Sequence, residues 1–174
     1  MTLHYKLKFF DYWHLSSGLS AGAKLDSTVT KDADGIPYAS GKTVKGLVRE
    51  MAEILYDDLF IKRCFGGEGI DSGKCYFKNA SLKKSTKDEI VSNRLQSNLY
   101  ETLAFTKVEN GIAVDNSLRE IEVVIPITLH GEILDIESKD DYEKLAKSLR
   151  MIKRMGLNRN RGLGRCEFTI EEQR

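Results

Sequence analysis

The periodicity of apolar residues switches along this chain in one order: strand-like, helix-like, strand-like, strand-like, helix-like, strand-like. Neither periodicity can stand in for the other, because each buries one face of only one kind of element. Leu3, Tyr5, Leu7 and Phe9 alternate with His4, Lys6 and Lys8, which reads as a half-buried strand over Leu3 to Tyr12 with a basic outer face. Val44, Leu47, Val48, Met51, Ile54, Leu55 and Leu59 recur at threes and fours, which predicts a helix starting between Gly41 and Thr43. Ser40 or Thr43 caps it, and the pattern fades by Phe60. Cys75 to Leu82 reads as a short strand. Glu120 to Leu134 reads as one long strand, in which Pro126 signals a sheet edge or a bulge. Tyr142, Leu145, Ala146, Leu149, Ile152 and Met155 predict a second helix over Asp140 to Met155, with Gly156 as its C-cap. Arg165 to Glu171 is the last strand.

That order fits an α+β chain with a ferredoxin-like, RNA-recognition-motif-like (RRM-like) β-α-β-β-α-β core, two helices on one face of an antiparallel sheet. The 174 residues suit a single domain, residues 1–174. Two insertions are expected. One is a Gly-, Ser- and Asp-rich loop after the first strand, at about residues 15–40. The other spans about residues 83–118 and holds a polar segment from Lys83 to Leu99 and a hairpin turning at Asn110-Gly111. No apolar run approaches the roughly 20 residues of a membrane helix. His4, Lys6 and Lys8 interrupt the first ten residues, unlike a secretory signal, so a cytoplasmic protein without membrane partners is expected.

Charge argues at first against a nucleic-acid binder. Lys plus Arg is 27 and Asp plus Glu is 26, a net of +1 with a pI near 7.7, whereas such domains often exceed a pI of about 9. The distribution argues the other way. Lys42 to Arg49 holds three basic and no acidic residues, and so does Met155 to Arg165. Acids gather elsewhere, as in Asp135 to Glu143.

The two basic segments are also the chemically distinctive ones. Gly35 to Arg49 (GIPYASGKTVKGLVR) leads a turn of small residues straight into a helix. N–H groups at a helix start, with Gly41 and Thr43 beside Lys42, Lys45 and Arg49, make an anion site. Gly41-Lys42-Thr43 mimics the end of a nucleotide P-loop, but Ile36 stands where that motif needs glycine. Met155 to Arg165 (MGLNRNRGLGR) combines Gly156, Gly162 and Gly164 with Arg159, Arg161 and Arg165, and carries Asn160. Glycines allow close approach of backbone to ligand, and arginines grip phosphates bidentately. RNA contact is the favoured reading of both. Among aromatics, Tyr12 and Trp13 are expected to be exposed for base stacking. Cys64, Cys75 and Cys166 lack metal-site spacing and read as reduced thiols.

Together these motifs resemble the CRISPR-associated RAMP (repeat-associated mysterious protein) superfamily, and most nearly the repeated backbone subunit of type III (Csm/Cmr-type) effector complexes. Pro37, Gly41, Val44, Lys45, Gly46 and Arg49 match its helix-start run, with Lys42 and Thr43 where two serines are usual. Gly156, Arg161, Gly162, Gly164 and Arg165 match its terminal glycine-rich loop, with Asn160 for a serine. Phe65-Gly66, Gly73 to Ala80, and Val108 to Val123 with Asp115, Ser117, Leu118, Arg119 and Glu122 match in the intervening order. The resemblance implies a guide-RNA (crRNA) binding subunit that assembles head-to-tail with copies of itself and with other CRISPR effector subunits in antiviral defence. The hairpin becomes a thumb, and target RNA a further partner.

The same resemblance matches Asp26, in Leu25-Asp26-Ser27-Thr28-Val29, to an aspartate implicated in target cleavage, which makes metal-dependent endoribonuclease activity within the complex the favoured expectation. A carboxylate beside a distorted phosphodiester can hold Mg or Mn or assist 2′-OH deprotonation; no tightly bound cofactor is expected. His14 is expected to face RNA from the strand end. The alternatives are a binding-only backbone and a stand-alone crRNA-processing RAMP endoribonuclease.

Overall fold

A computed structural model describes residues 1–18, 27–67, 72–106 and 118–171, with backbone alone for 108–109 and 112–113. The first strand, β1 (Leu3–Phe9), buries Leu3, Tyr5, Leu7 and Phe9 and turns His4, Lys6 and Lys8 outward. Helix α1 (Gly41–Leu55) starts at Ser40, whose hydroxyl accepts from the Thr43 N–H at 3.1 Å. It buries Val44, Val48 and Ala52.

The helical pattern does not run on to Leu59. Tyr56 is extended (φ −135°, ψ 167°), and a separate helix, α2 (Asp58–Phe65), starts at Asp57. Leu59 therefore falls off the apolar stripe and is 73% exposed, and Ile54, in the last turn of α1, is 68% exposed. The next strand, β2 (Tyr76–Phe77), is only two residues, continued by single bridges Ala39–Ala80 and Ser81–His130. The polar segment forms α3 (Lys84–Ser92), which buries none of its residues, and a 3-10 turn at Gln96–Leu99.

Two antiparallel pairs follow. β3 (Tyr100–Phe105) pairs with β6 (Arg119–Val124), and the hairpin expected around Asn110-Gly111 is the pair β4 (Val108–Glu109) and β5 (Ile112–Ala113). The long strand expected over Glu120 to Leu134 is two strands, β6 and β7 (Thr128–Leu134), in different sheets. Pro126 lies between them, with no N–H to give a ladder. On one side of it Ile125 donates to Leu99 O, and on the other Ile127 O accepts from Phe9.

Helix α4 (Lys139–Met151), capped by Ser138, buries Leu145, Ala146 and Leu149. It ends four residues earlier than predicted, at an extended Ile152. Gly156 is thus no helix cap. It has φ 92°, and a Cβ there would stand 2.3 Å from the His14 carbonyl oxygen. The chain closes with β8 (Cys166–Glu171).

The main sheet has the order β2-β7-β1-β8, all neighbours antiparallel. That is the ferredoxin-like order, and the fold is α+β as expected. One face of the sheet packs with α1, α2 and α4 into a single apolar cluster around Leu7, Phe60, Leu129, Ile133, Leu149 and Phe168. Its other face carries His4, Lys6 and Lys8 beside Thr128, His130 and Glu132. No helix among the described residues is long and apolar enough to cross a membrane.

Candidate nucleic-acid interface

The helix-start loop is anchored to β2 and the residues just after it. Gly41 N–H donates to Asn79 Oδ1 at 2.9 Å, and a Cβ on Gly41 would stand 2.0 Å from the Phe77 carbonyl oxygen. Only glycine fits there. The Thr43 hydroxyl lies 2.8 Å from Ser40 Oγ, inside the cap. The first-turn N–H groups of Gly41 and Thr43 are therefore already bonded, so the expected backbone anion cradle is largely filled from within. What the loop offers a phosphate is cationic: Lys42 is exposed and Lys45 half-buried, and neither forms an ion pair among the described residues. Arg49 is tied to Glu53 at 2.7 Å, one helical turn on.

The Gly/Arg loop is anchored instead to the chain after β1 and to β8, the edge strand opposite β2. Gly164 N–H donates to Tyr12 O, Met155 N–H to Gly164 O and Leu157 N–H to His14 O. Positive φ at Asn158 (56°), Gly162 (91°) and Gly164 (68°) turns the loop tightly. Leu163 plugs it into a small cluster with Ile121 and Val123. Arg159, Asn160 and Arg161 stand exposed at the tip. Arg165 lies lower, 3.2 Å from Asp11 and 5.4 Å from the Phe10 ring centroid. It lines a surface cavity of about 510 Å³ with Phe10, Lys153 and Arg154. Sequence reasoning missed those three. The signal available was the pair Lys153-Arg154 directly before Met155. The two basic loops thus hang from opposite edges of the sheet rather than forming one cluster.

His14 does not face outward. It is fully buried, with Nδ1 2.6 Å from Glu122 O and Nε2 3.0 Å from Ser27 Oγ. Trp13 is buried too, stacked on Phe9 with centroids 4.4 Å apart, so it offers no platform for a base. The fully paired ring of His14 serves to pin a loop. Ser27 also accepts from Glu122 N–H at 3.2 Å, and Val29 N–H donates to Glu122 Oε2 at 3.0 Å. Glu122 further holds Lys31 at 2.6 Å, whose ammonium sits 4.0 Å over the ring of Tyr100. Tyr100 in turn donates to Gly35 O. The base of the β3–β6 ribbon and the loop entering α1 are locked together by this chain of contacts.

Asp26 itself lies outside the described residues. Its nearest sequence carboxylates, Asp32 and Asp34, are both clamped by Lys87 at 2.7 Å. Burial acts most strongly, to raise the Asp32 carboxyl, but the Lys87 hydrogen bond and charge together with the N–H groups of Ile36 and Asp34 hold the group below the ordinary carboxylate range. Among the described residues no group of three or more His, Cys, Asp or Glu could hold a metal ion. Cys64, Cys75 and Cys166 are free and buried, and burial pushes the Cys166 thiol up to about 12.

A family model described as the RAMP superfamily matches residues 6–167. Comparison with curated protein sequences gave no match. Among solved structures, the chain is similar to one from the cryo-EM structure of the Type III-B Cmr-beta bound to cognate target RNA. That pair has a TM-score of 0.76 and 12% identity, over 98% of this chain and 97% of the other. A chain from the apo state of Type III-B Cmr-beta matches at a TM-score of 0.73 and 12% identity, over 98% and 97%.

Proposed function

The chain belongs to the RAMP superfamily, and from that premise we propose that it is a guide-RNA-binding backbone subunit of a CRISPR type III-like effector complex. One observation carries the reading: two basic, glycine-anchored loops are presented from opposite sheet edges of a fold whose relatives include a chain of Cmr-beta bound to target RNA. Phosphates of one strand engage Lys42 and Lys45 at the helix start and Arg159 and Arg161 at the loop tip. Such contacts position RNA without reading its sequence, and base pairing between guide and target supplies specificity. Copies stacked head-to-tail repeat the pair of loops along the guide, as a heterologous interface that does not close allows.

The test is guide-RNA affinity of Lys45→Ala with Arg161→Ala across a salt series. Binding weakens, and the slope of log affinity on log salt falls by about 1.4 for two phosphates on a single strand. Unchanged affinity and slope overturn the reading.

A binding-only backbone is the second reading, and the clamping of Asp32 and Asp34 by Lys87 favours it, because both carboxylates nearest Asp26 in sequence are engaged elsewhere. Target cleavage by the assembled complex separates the two. If this subunit cleaves, Asp26→Ala abolishes cutting while guide and target binding persist; if it only binds, cutting is unaltered.

A further inference from the structure

The outer face of the main sheet is electrostatically divided. At its lower end every acid is engaged: Glu132 lies 3.5 Å from His4 and 2.9 Å from Lys78, and Glu171 lies 3.4 Å from His130. At its upper end the balance is different. Lys6 and Lys8 project from β1 toward Lys83 at the start of α3, and the three border a cavity of about 540 Å³ whose lining contains no carboxylate. None of the three forms an ion pair among the described residues. Scarcity of acids is not the reason, since the chain has 26 of them. Glu167 stands directly across from Lys8 in register on β8, on the same face, but forms no ion pair with it and borders the neighbouring cavity. Three ammonium groups around one cavity whose lining has no carboxylate repel one another, and an anion seated among them relieves that repulsion.

The cationic end runs on into the Gly/Arg loop by way of one aromatic ring. Phe10 is 38% exposed directly after β1. The Lys8 ammonium lies 5.1 Å from its centroid and the Arg165 guanidinium 5.4 Å. Phe10 and Arg165 both border the second cavity. A continuous strip therefore leads from Arg165 over Phe10 and along Lys8 and Lys6 to Lys83. Lys6 and Lys8 are two residues apart on one strand face, about 7 Å, a spacing on the order of that between successive phosphates of an extended strand. An exposed ring set among cations is what single-stranded nucleic acid uses, one group for the base and the others for the backbone. An acidic peptide would engage the lysines and leave the ring idle.

We propose that this strip is a further site for single-stranded RNA, separate from the helix-start loop, in which Lys6, Lys8 and Lys83 meet phosphates and Phe10 stacks on a base. The site rests on the reading that the protein binds RNA and adds a track across the open sheet face, continuing from Arg165. The Lys8 ammonium leaves the ring for a phosphate when the base arrives.

The experiment is fluorescence anisotropy of the full chain with a labelled single-stranded RNA of roughly 20 nucleotides, over a salt series. For Lys6→Gln, Lys8→Gln and Lys83→Gln combined, the slope of log affinity on log salt falls by about 2, at roughly 0.7 per phosphate lost. Phe10→Ala weakens binding about tenfold with little change in slope, and Phe10→Trp restores it. Circular dichroism melting checks that each variant is folded. A folded triple-lysine variant with the wild-type slope overturns the site, as does a folded Phe10→Ala with wild-type affinity. Displacement of RNA by polyglutamate as readily as by unlabelled RNA also overturns it, in favour of an acidic protein partner. If Lys45→Ala with Arg161→Ala loses binding while the sheet-face variants keep it, this site falls and the RNA-binding function stands. If the wild-type chain binds no RNA, both fall.

Discussion

His14 Nε2 lies 3.0 Å from the hydroxyl of Ser27, the residue directly after Asp26. With its other nitrogen on Glu122 O, this buried ring ties the end of β1's extension to the base of the ribbon and to the loop that carries the candidate catalytic aspartate. His14→Ala removes both bonds and opens a cavity, so stability falls by about 3 kcal/mol. Urea denaturation measures the loss. RNA affinity of the folded variant stays near wild type, because the ring touches no solvent. A large affinity loss at full stability would return His14 to the RNA surface.

Three glycines are expected to respond differently to alanine. Gly41→Ala and Gly164→Ala drive a Cβ to 2.0 Å from the carbonyl oxygens of Phe77 and Met155, so something must shift. Each loses about 2–3 kcal/mol and misplaces its loop. Gly46 has open space around it in the interior of α1, so Gly46→Ala gains about 0.5–1 kcal/mol of helix stability. Thermal melting of the three variants tests the contrast, which fails if Gly46→Ala melts lower than wild type.

Arg63 grips Asp141 with Nε on Oδ2 at 3.0 Å and Nη2 on Oδ1, joining α2 to the first turn of α4. Burial acts most strongly, to raise the Asp141 carboxyl, yet the hydrogen bonds of Arg63 and Ser138 with the charges of Arg63 and Lys144 together hold the group below the ordinary value. The bond's stabilisation is thus complete above about pH 4 and is lost as pH falls through the depressed value. Asp141→Asn costs about 2 kcal/mol at neutral pH, moderated because Arg63 reaches solvent. The gap from wild type narrows below pH 4 in acid-unfolding curves. A gap that stays constant down to pH 2 would contradict the assignment.

The thiols should be silent in the native state. Cys75 N–H donates to Cys64 O at 3.2 Å; the bond between the two thiols raises Cys64 and lowers Cys75, so it is burial that shields all three from reagent. A thiol-specific reagent such as dithionitrobenzoate therefore titrates no cysteine before unfolding and all three in denaturant. Fast native-state labelling would contradict the burial.

Much of this architecture was legible in the sequence, because burial on one face writes a period into an element. The alternation of Leu3 to Phe9, the Ser40 cap of α1 and the Leu145–Leu149 stripe of α4 came out as read. Illegible were the points where tertiary contacts override local pattern. Leu59 extends a helical period that the chain breaks at Tyr56, and Ile54 fits that period yet stays exposed in the last turn of α1. Apolar runs on both sides of Pro126 look continuous although they serve two sheets. The basic loops were found from their charge and glycine content, but their attachment to opposite edges depends on strand order. Trp13 and His14 look like strand-end surface residues because nothing local announces the ribbon that covers them. Phe10 carries no motif, and its setting between Lys8 and Arg165 exists only once β1 and β8 are side by side.

Gly41 abuts the carbonyl of Phe77, Gly156 that of His14, and Gly164 that of Met155. Every residue type presents the same carbonyl. The abutting positions can therefore change identity during divergence, within the limits of packing, without moving the turns, whereas the glycines cannot. Side-chain correspondence can therefore be largely lost while the turns at the roots of the two basic loops keep their places. The scaffold is thus more portable than the surfaces it displays, and loop tips can be exchanged between distant chains at little cost to the turn that carries them.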